Sequence, residues 1–253
     1  MDQPEPEQRL YGPAQFRTTH WSLVLRAADT EATTSHQALE LLCRTYWPAV
    51  YAFILRRGYA TEDAKDLTQA FFARLLEKHW LSSADASKGR FRTFLLTAVS
   101  RFLGHERERS DALKRGSGHR IFSLDAAEAE PGWVPEPAAT GTPEEAFERR
   151  WAESLLNRVT DRLRQEFDEG GKLGRFEALK RYLTDDRGET SYAEVAQQLA
   201  LSESAVKSNI YRLRMRFGEL VRDEIAGTVD NPEDVPAEIR HLLLVLGTGT
   251  GAL

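Results

Sequence analysis

Residues 191–217 read SYAEVAQQLALSESAVKSNIYRLRMRF. Read with a helical period, the stretch is two short amphipathic helices joined by a few residues. Ala193, Val195, Ala196 and Leu199 share one side of the first helix. Val206, Ile210, Leu213 and Phe217, at spacings of 4, 3 and 4, form one stripe of the second. Ser202 stands where a side-chain oxygen caps the second helix. Opposite the stripe lie Ser204, Lys207, Ser208, Tyr211 and Arg212, with Arg214 and Arg216 further along. Such a face offers hydrogen-bonding groups to base edges and cations to phosphates, as the second helix of a helix-turn-helix does in the major groove. A helical hairpin with a merely solvated basic face fits the same residues.

The rest of the chain bears on that choice. Its 253 residues suffice for two small domains. With 34 Lys and Arg against 39 Asp and Glu the net charge is −5, the wrong sign for a protein that coats nucleic acid. DNA binding must then come from local basic surfaces, and affinity for free duplex is modest because few phosphates are neutralised. The single cysteine, Cys43, excludes an intramolecular disulfide and any multi-cysteine zinc site, and its apolar neighbours mark a buried thiol. The polar, acidic start MDQPEPEQRL lacks the apolar core of a signal peptide, and the longest apolar run, LLLVLG at 242–247, is too short to span a bilayer. A cytoplasmic protein without membrane contact is expected. No phosphate loop, metal cluster or nucleophile constellation is present, so neither an enzyme, a cofactor nor a metal is expected.

Helical periodicity runs almost throughout and β alternation is nowhere evident, so the expected class is all-α. Residues 1–34 form an N-terminal arm in which Trp21, Leu23, Val24 and Leu25 are candidates to pack on the adjoining domain. The stretch 35–58 is helical, with Pro48 marking a kink or break. Thr61 is placed to cap the next helix, with Glu62 and Asp63 in its first turn and Ala64, Leu67, Phe71 and Leu75 on one face. A third segment, RFRTFLLTAVSRFLGHERERS, turns Phe91, Phe94, Leu95, Ala98 and Phe102 inward. From 88 to 120 there are nine Lys or Arg against three acids; from 121 to 148 there are seven acids and no Lys or Arg. That switch, with PGWVPEPAATGTP inside the acidic part, marks a flexible linker. Helix resumes with Thr142 as cap and Pro143 in the first turn, then Phe147, Trp151, Leu155, Val159, Leu163 and Phe167 at every fourth position. Asn231 and Pro232 open a last helix, in which Leu242, Leu243 and Val245 are expected to be buried. The boundaries are therefore an arm at 1–34, a first helical domain at 35–120, a linker at 121–143, a helix-turn-helix domain at 144–226 and a C-terminal extension at 227–253.

Three stretches together resemble the extracytoplasmic-function group of bacterial sigma-70-family factors: RTYWPAVYAFILRRGYATEDAKDLTQAFFARLLEK, KGRFRTFLLTAVSRFLGHERERSDALKRG, and SYAEVAQQLALSESAVKSNIYRLRMRFGELV. Their order and spacing, over roughly 35–226, make the resemblance specific where each alone is weak. A closer resemblance is to a subgroup with a TTHWSLVLRA-type arm and an extension like the one that closes this chain. The resemblance implies a region 2-like bundle and a region 4-like helix-turn-helix domain. It implies partners in core RNA polymerase, through the largest subunit's clamp coiled coil and the flap region, and in promoter DNA, with control by an anti-sigma factor or a protein kinase. Asp63, Asp66, Leu67, Gln69 and Phe72 match the polymerase-binding positions. Arg90, Phe91, Arg92, Arg101, His105, Arg107 and Arg109 match the segment that engages the −10 element, with residues 82–89 and Phe91 as the pocket for an unstacked base. Ser204, Lys207, Ser208, Tyr211, Arg212 and Arg214 match the −35 readers. Thr61 and Thr68, beside the acidic patch, are candidate phosphorylation sites, since added charge alters that contact. Two departures stand out. Arg101 and His105 replace the Asn and Asp usual in the family, which puts the −10 base preference in question. Ala200 holds the turn position often given to Gly, tolerable if its φ stays negative. A dimeric helix-turn-helix repressor or activator that works without polymerase is the alternative, with the apolar last helix as its seam and a palindromic site as its mark.

Overall fold

The computed structural model describes residues 35–77, 90–114, 141–183, 191–229 and 231–247. The arm at 1–34, the turn at 82–89 and all but the last three residues of the linker at 121–143 lie outside them. Among the described residues every regular element is helical, so the described chain is all-α. Eight α-helices follow one another in the described residues: α1 (Ser35–Arg56), α2 (Thr61–Glu77), α3 (Phe91–Lys114), α4 (Pro143–Glu169), α5 (Leu173–Leu179), α6 (Tyr192–Leu199), α7 (Glu203–Ala226) and α8 (Val235–Gly247). Short 3-10 turns occupy Lys180–Leu183 and Pro232–Asp234.

The chain forms two compact units, Met1–Trp151 with Gly227–Asp230 and Ala152–Ala226 with Asn231–Leu253. In the first, α1 supplies Leu42, Tyr46, Val50, Phe53 and Ile54 to the core, α2 supplies Ala64, Phe71 and Leu75, and α3 supplies Phe91, Leu95, Val99 and Phe102. Aromatic rings lock the helices together: Tyr46 meets Phe91 edge-on at 5.3 Å and Phe71 meets Phe102 at 5.7 Å. Pro48 lies inside α1, which continues past it to Arg56 instead of breaking. Thr61 is the first residue of α2, not a residue ahead of it. Thr68 is fully buried and donates to the Ala64 carbonyl at 2.7 Å, so the expectation of a phosphorylation site there is corrected. Cys43 is half-buried, and burial pushes its thiol up to about 11.

The start of α4 belongs to the first unit. A reciprocal capping box fixes it: the Thr142 hydroxyl accepts from the Glu145 backbone N–H at 3.1 Å, and the Glu145 carboxylate accepts from the Thr142 N–H at 2.7 Å. Phe147 and Trp151 are fully buried. Arg56 donates to the Gly141 carbonyl, and Arg57 pairs with Glu144 at 3.4 Å. Beyond Trp151 the same stripe, Leu155, Val159 and Leu163, is buried in the second unit. A spacing of four residues advances the stripe by roughly 40° per step around a helix of 3.6 residues per turn.

In the second unit α4 is tied to α7 by charge. Glu166 accepts two hydrogen bonds from Arg216, at 2.7 and 2.8 Å, and Glu224 accepts from Arg158 at 2.9 Å. The C-terminal helix α8 packs on α7, its approach fixed by the Asn231 side chain accepting from the Glu233 N–H at 3.0 Å. Leu242 is buried there, but Leu243 is 63% exposed and Leu244 67%, so the expectation that Leu243 is covered fails. Successive helical residues point about 100° apart, and only one of them can face α7.

Candidate nucleic-acid interface

The two helices read from residues 191–217 are α6 and α7, and each is capped by its own sequence. The Ser191 hydroxyl accepts from the Glu194 N–H at 3.3 Å, and that of Ser202 accepts from the Ala205 N–H at 3.2 Å. Val195, Ala196, Val206, Ile210 and Leu213 are buried; Leu199 and Phe217 are half-buried. Ala193, expected on the apolar side, is exposed. The turn closes as a Schellman motif, in which the Leu201 N–H donates to the Ala196 carbonyl at 2.9 Å and the Ala200 N–H to the Gln197 carbonyl at 3.3 Å. That geometry needs a left-handed residue after the helix. Ala200 adopts it, at φ 52 and ψ 47, so the condition of negative φ under which an alanine is easily tolerated there is not met.

Opposite the buried stripe, α7 exposes Ser204, Lys207, Ser208, Tyr211 and Arg212 within about three turns of helix. Tyr211 is 67% exposed, a large value for an aromatic side chain. Met215, 50% exposed and one turn beyond Tyr211, extends the row; its place outside the apolar stripe is the one signal in the sequence that marks it. The Ser208 hydroxyl donates to the Ser204 carbonyl at 3.0 Å, leaving its lone pairs outward as acceptors. Asn209, on the flank, donates to the Ala205 carbonyl at 2.7 Å and accepts from Arg175 of α5 at 3.5 Å. Arg214 sits on the same exposed side, but its Nε donates to the Tyr182 carbonyl at 2.8 Å, so it also braces α7 on the 3-10 turn. Arg216 belongs to the clamp on Glu166 and Glu219. Those hydrogen bonds hold the Arg216 guanidinium above its ordinary range and the Glu166 carboxyl below its own.

In the first unit the matched positions separate. Asp63 and Asp66 are exposed, Leu67 and Gln69 are half-buried, and Phe72 is buried, stacked on Trp47 at 5.6 Å. Phe72 is thus a core residue and not a free contact. On α3, Arg101, His105, Arg107 and Arg109 are exposed, and Arg90, just ahead of it, is half-buried. Acids interleave with them: Glu106 pairs with Arg74 and Arg109, each at 3.1 Å, and His105 lies 3.6 Å from Glu108.

Two expected DNA contacts on α3 are corrected. Phe91 is 1% exposed, enclosed by Tyr46 and by Phe94, which stacks on it at 5.7 Å. Arg92 is 3% exposed; its Nε lies 2.9 Å from Glu148 and its guanidinium 4.4 Å above the Trp151 ring. A cation buried against a carboxylate and an aromatic face is neutralised within the fold and has no reach to a phosphate. Among the described residues no group of three His, Cys, Asp or Glu side chains is arranged to hold a metal ion, and no helix is long and apolar enough to cross a membrane.

Comparison with protein-family models, with curated proteins and with solved structures returns no match.

Proposed function

We propose that the chain is a promoter-specificity subunit of the sigma type, which binds core RNA polymerase and directs initiation by recognising −10 and −35 elements. The observation that carries this reading is the outer face of α7. Ser204, Lys207, Ser208, Tyr211 and Arg212 stand exposed together on the second helix of a capped helix-turn-helix. That is the composition a major-groove reader needs: hydroxyls for base edges, an aromatic for apolar contact and cations for phosphates.

The acidic whole is consistent with a subunit whose affinity for DNA comes through the polymerase, since a net charge of −5 gives little hold on free duplex. Asp63 and Asp66, exposed on the first turns of α2, offer the polymerase an acidic patch, and Arg101, Arg107 and Arg109 remain for the −10 strand. The chemistry of RNA synthesis belongs to the polymerase in this scheme.

The test is transcription with purified core polymerase. Lys207→Ala combined with Arg212→Ala is expected to abolish −35-dependent transcripts while leaving polymerase binding intact; loss of polymerase binding sinks the assignment of α7 to DNA. A second reading, a dimeric regulator that works alone, is favoured by Leu243 and Leu244, which α8 leaves exposed. It requires tight binding to a palindrome in the absence of polymerase.

A further inference from the structure

Lys207 is not a loose side chain. Its Nζ lies 5.4 Å from the centroid of the Tyr192 ring, within the range of a cation–π contact. Tyr192 is the first residue of α6, and its ring in turn leans on that of Tyr182, with centroids 5.7 Å apart and planes inclined by 30°. Tyr182 is 2% exposed, and its carbonyl accepts the Arg214 Nε from α7. The series Tyr182, Tyr192, Lys207 therefore runs from a buried ring in the 3-10 turn, through a ring 36% exposed, to an exposed ammonium.

We propose that Tyr192 is a positioning residue that draws Lys207 toward α6 and so commits its ammonium to a backbone phosphate of bound DNA. Resting on the reading of α7 as a major-groove helix, this assigns Lys207 a role distinct from that of Ser204, Ser208 and Tyr211 further round the face. In a helix-turn-helix the first helix crosses the sugar–phosphate backbone while the second enters the groove. A cation held against the first helix is thereby placed beside the backbone. Lysine suits that task, being a compact charge on a stem of high rotamer freedom that a ring face restricts before the ligand arrives.

The experiment measures binding of the holoenzyme, full chain plus core polymerase, to a promoter and to versions with each −35 base pair changed, over a range of salt. Lys207→Ala is expected to weaken every version by a similar factor and to lower the salt slope by about 1. Tyr192→Leu is expected to weaken binding about two- to fivefold, the size of one exposed cation–π contact. Tyr192→Phe, which keeps the ring, should match the parent protein, and Tyr192→Leu added to Lys207→Ala should cost nothing more. Lost discrimination at one base pair in Lys207→Ala with an unchanged salt slope overturns the inference. So do losses from the two substitutions that multiply. If the parent protein forms no promoter-selective complex with polymerase, the proposed function fails and carries this inference with it; the variant pattern on a working parent decides the inference alone.

Discussion

Two helices of the second unit end in the same motif with different residues at the left-handed position. After α4 the Lys172 N–H donates to the Phe167 carbonyl at 2.7 Å and Gly171 takes φ 65; after α6 the Leu201 N–H donates to Ala196 at 2.9 Å and Ala200 takes φ 52. A Cβ in that conformation costs roughly 1–2 kcal/mol. Glycine's greater freedom in the unfolded chain returns about 0.4–1 kcal/mol of the difference. Ala200→Gly should then stabilise the second unit by about 0.5–1 kcal/mol. Gly171→Ala should destabilise it by a similar amount, since a Cβ there meets nothing within 4 Å and the effect is purely conformational. The assay is urea denaturation followed by far-ultraviolet circular dichroism, in which the midpoints move in opposite directions at unchanged m and the double exchange returns near the parent. Destabilisation by Ala200→Gly would show that Ala200 is not left-handed, and the Schellman closure of the helix-turn-helix would have to be given up.

Other expectations come from the corrected roles on α3 and from the α4–α7 clamp. Arg92→Ala should destabilise the first unit by about 3 kcal/mol, because it removes a buried ion pair with Glu148 and uncovers Trp151. Arg101→Ala, at an exposed position, should change stability by less than about 0.5 kcal/mol while weakening −10 strand contact, as denaturation and promoter-opening assays on the same proteins would show. The Glu166 carboxyl is held below its ordinary value of 4.5 by Arg216, so the stabilisation is present above that value and is lost as pH falls through the lower folded-state value. Glu166→Gln should therefore be less stable than the parent at neutral pH and lose less on acidification; a parallel pair of stability–pH curves would contradict the assignment.

Short-range features of this chain were legible in its sequence. Thr142, Ser202 and Asn231 are caps written within four residues, and the stripes of α2, α4 and α7 are periodicities within one helix. The outer face of α7 was legible for the same reason, as the complement of a clear apolar stripe. What failed depended on distant partners. Arg92 reads as one more cation in a basic segment until Glu148 and Trp151, more than fifty residues on, close over it. Phe91, inward by its period but matched to the −10 pocket by resemblance, and Phe72, matched to the polymerase contact in the same way, are enclosed by the rings of Tyr46 and Trp47, which come from another helix. Thr68 stands beside the acidic patch in sequence, yet it lies one turn from Ala64 and Phe71 on the buried side of α2. The left-handed Ala200 escaped because the Schellman bonds, and not the identity of the residue, dictate its φ.

The most direct test of the central claim is run-off transcription from a randomised promoter library with purified core polymerase, with and without this chain, alongside DNA binding by the chain alone. Transcripts that depend on the chain, from templates sharing two short elements at fixed spacing, are the predicted result. Tight binding to a palindrome without polymerase, and transcription indifferent to the chain, would contradict it.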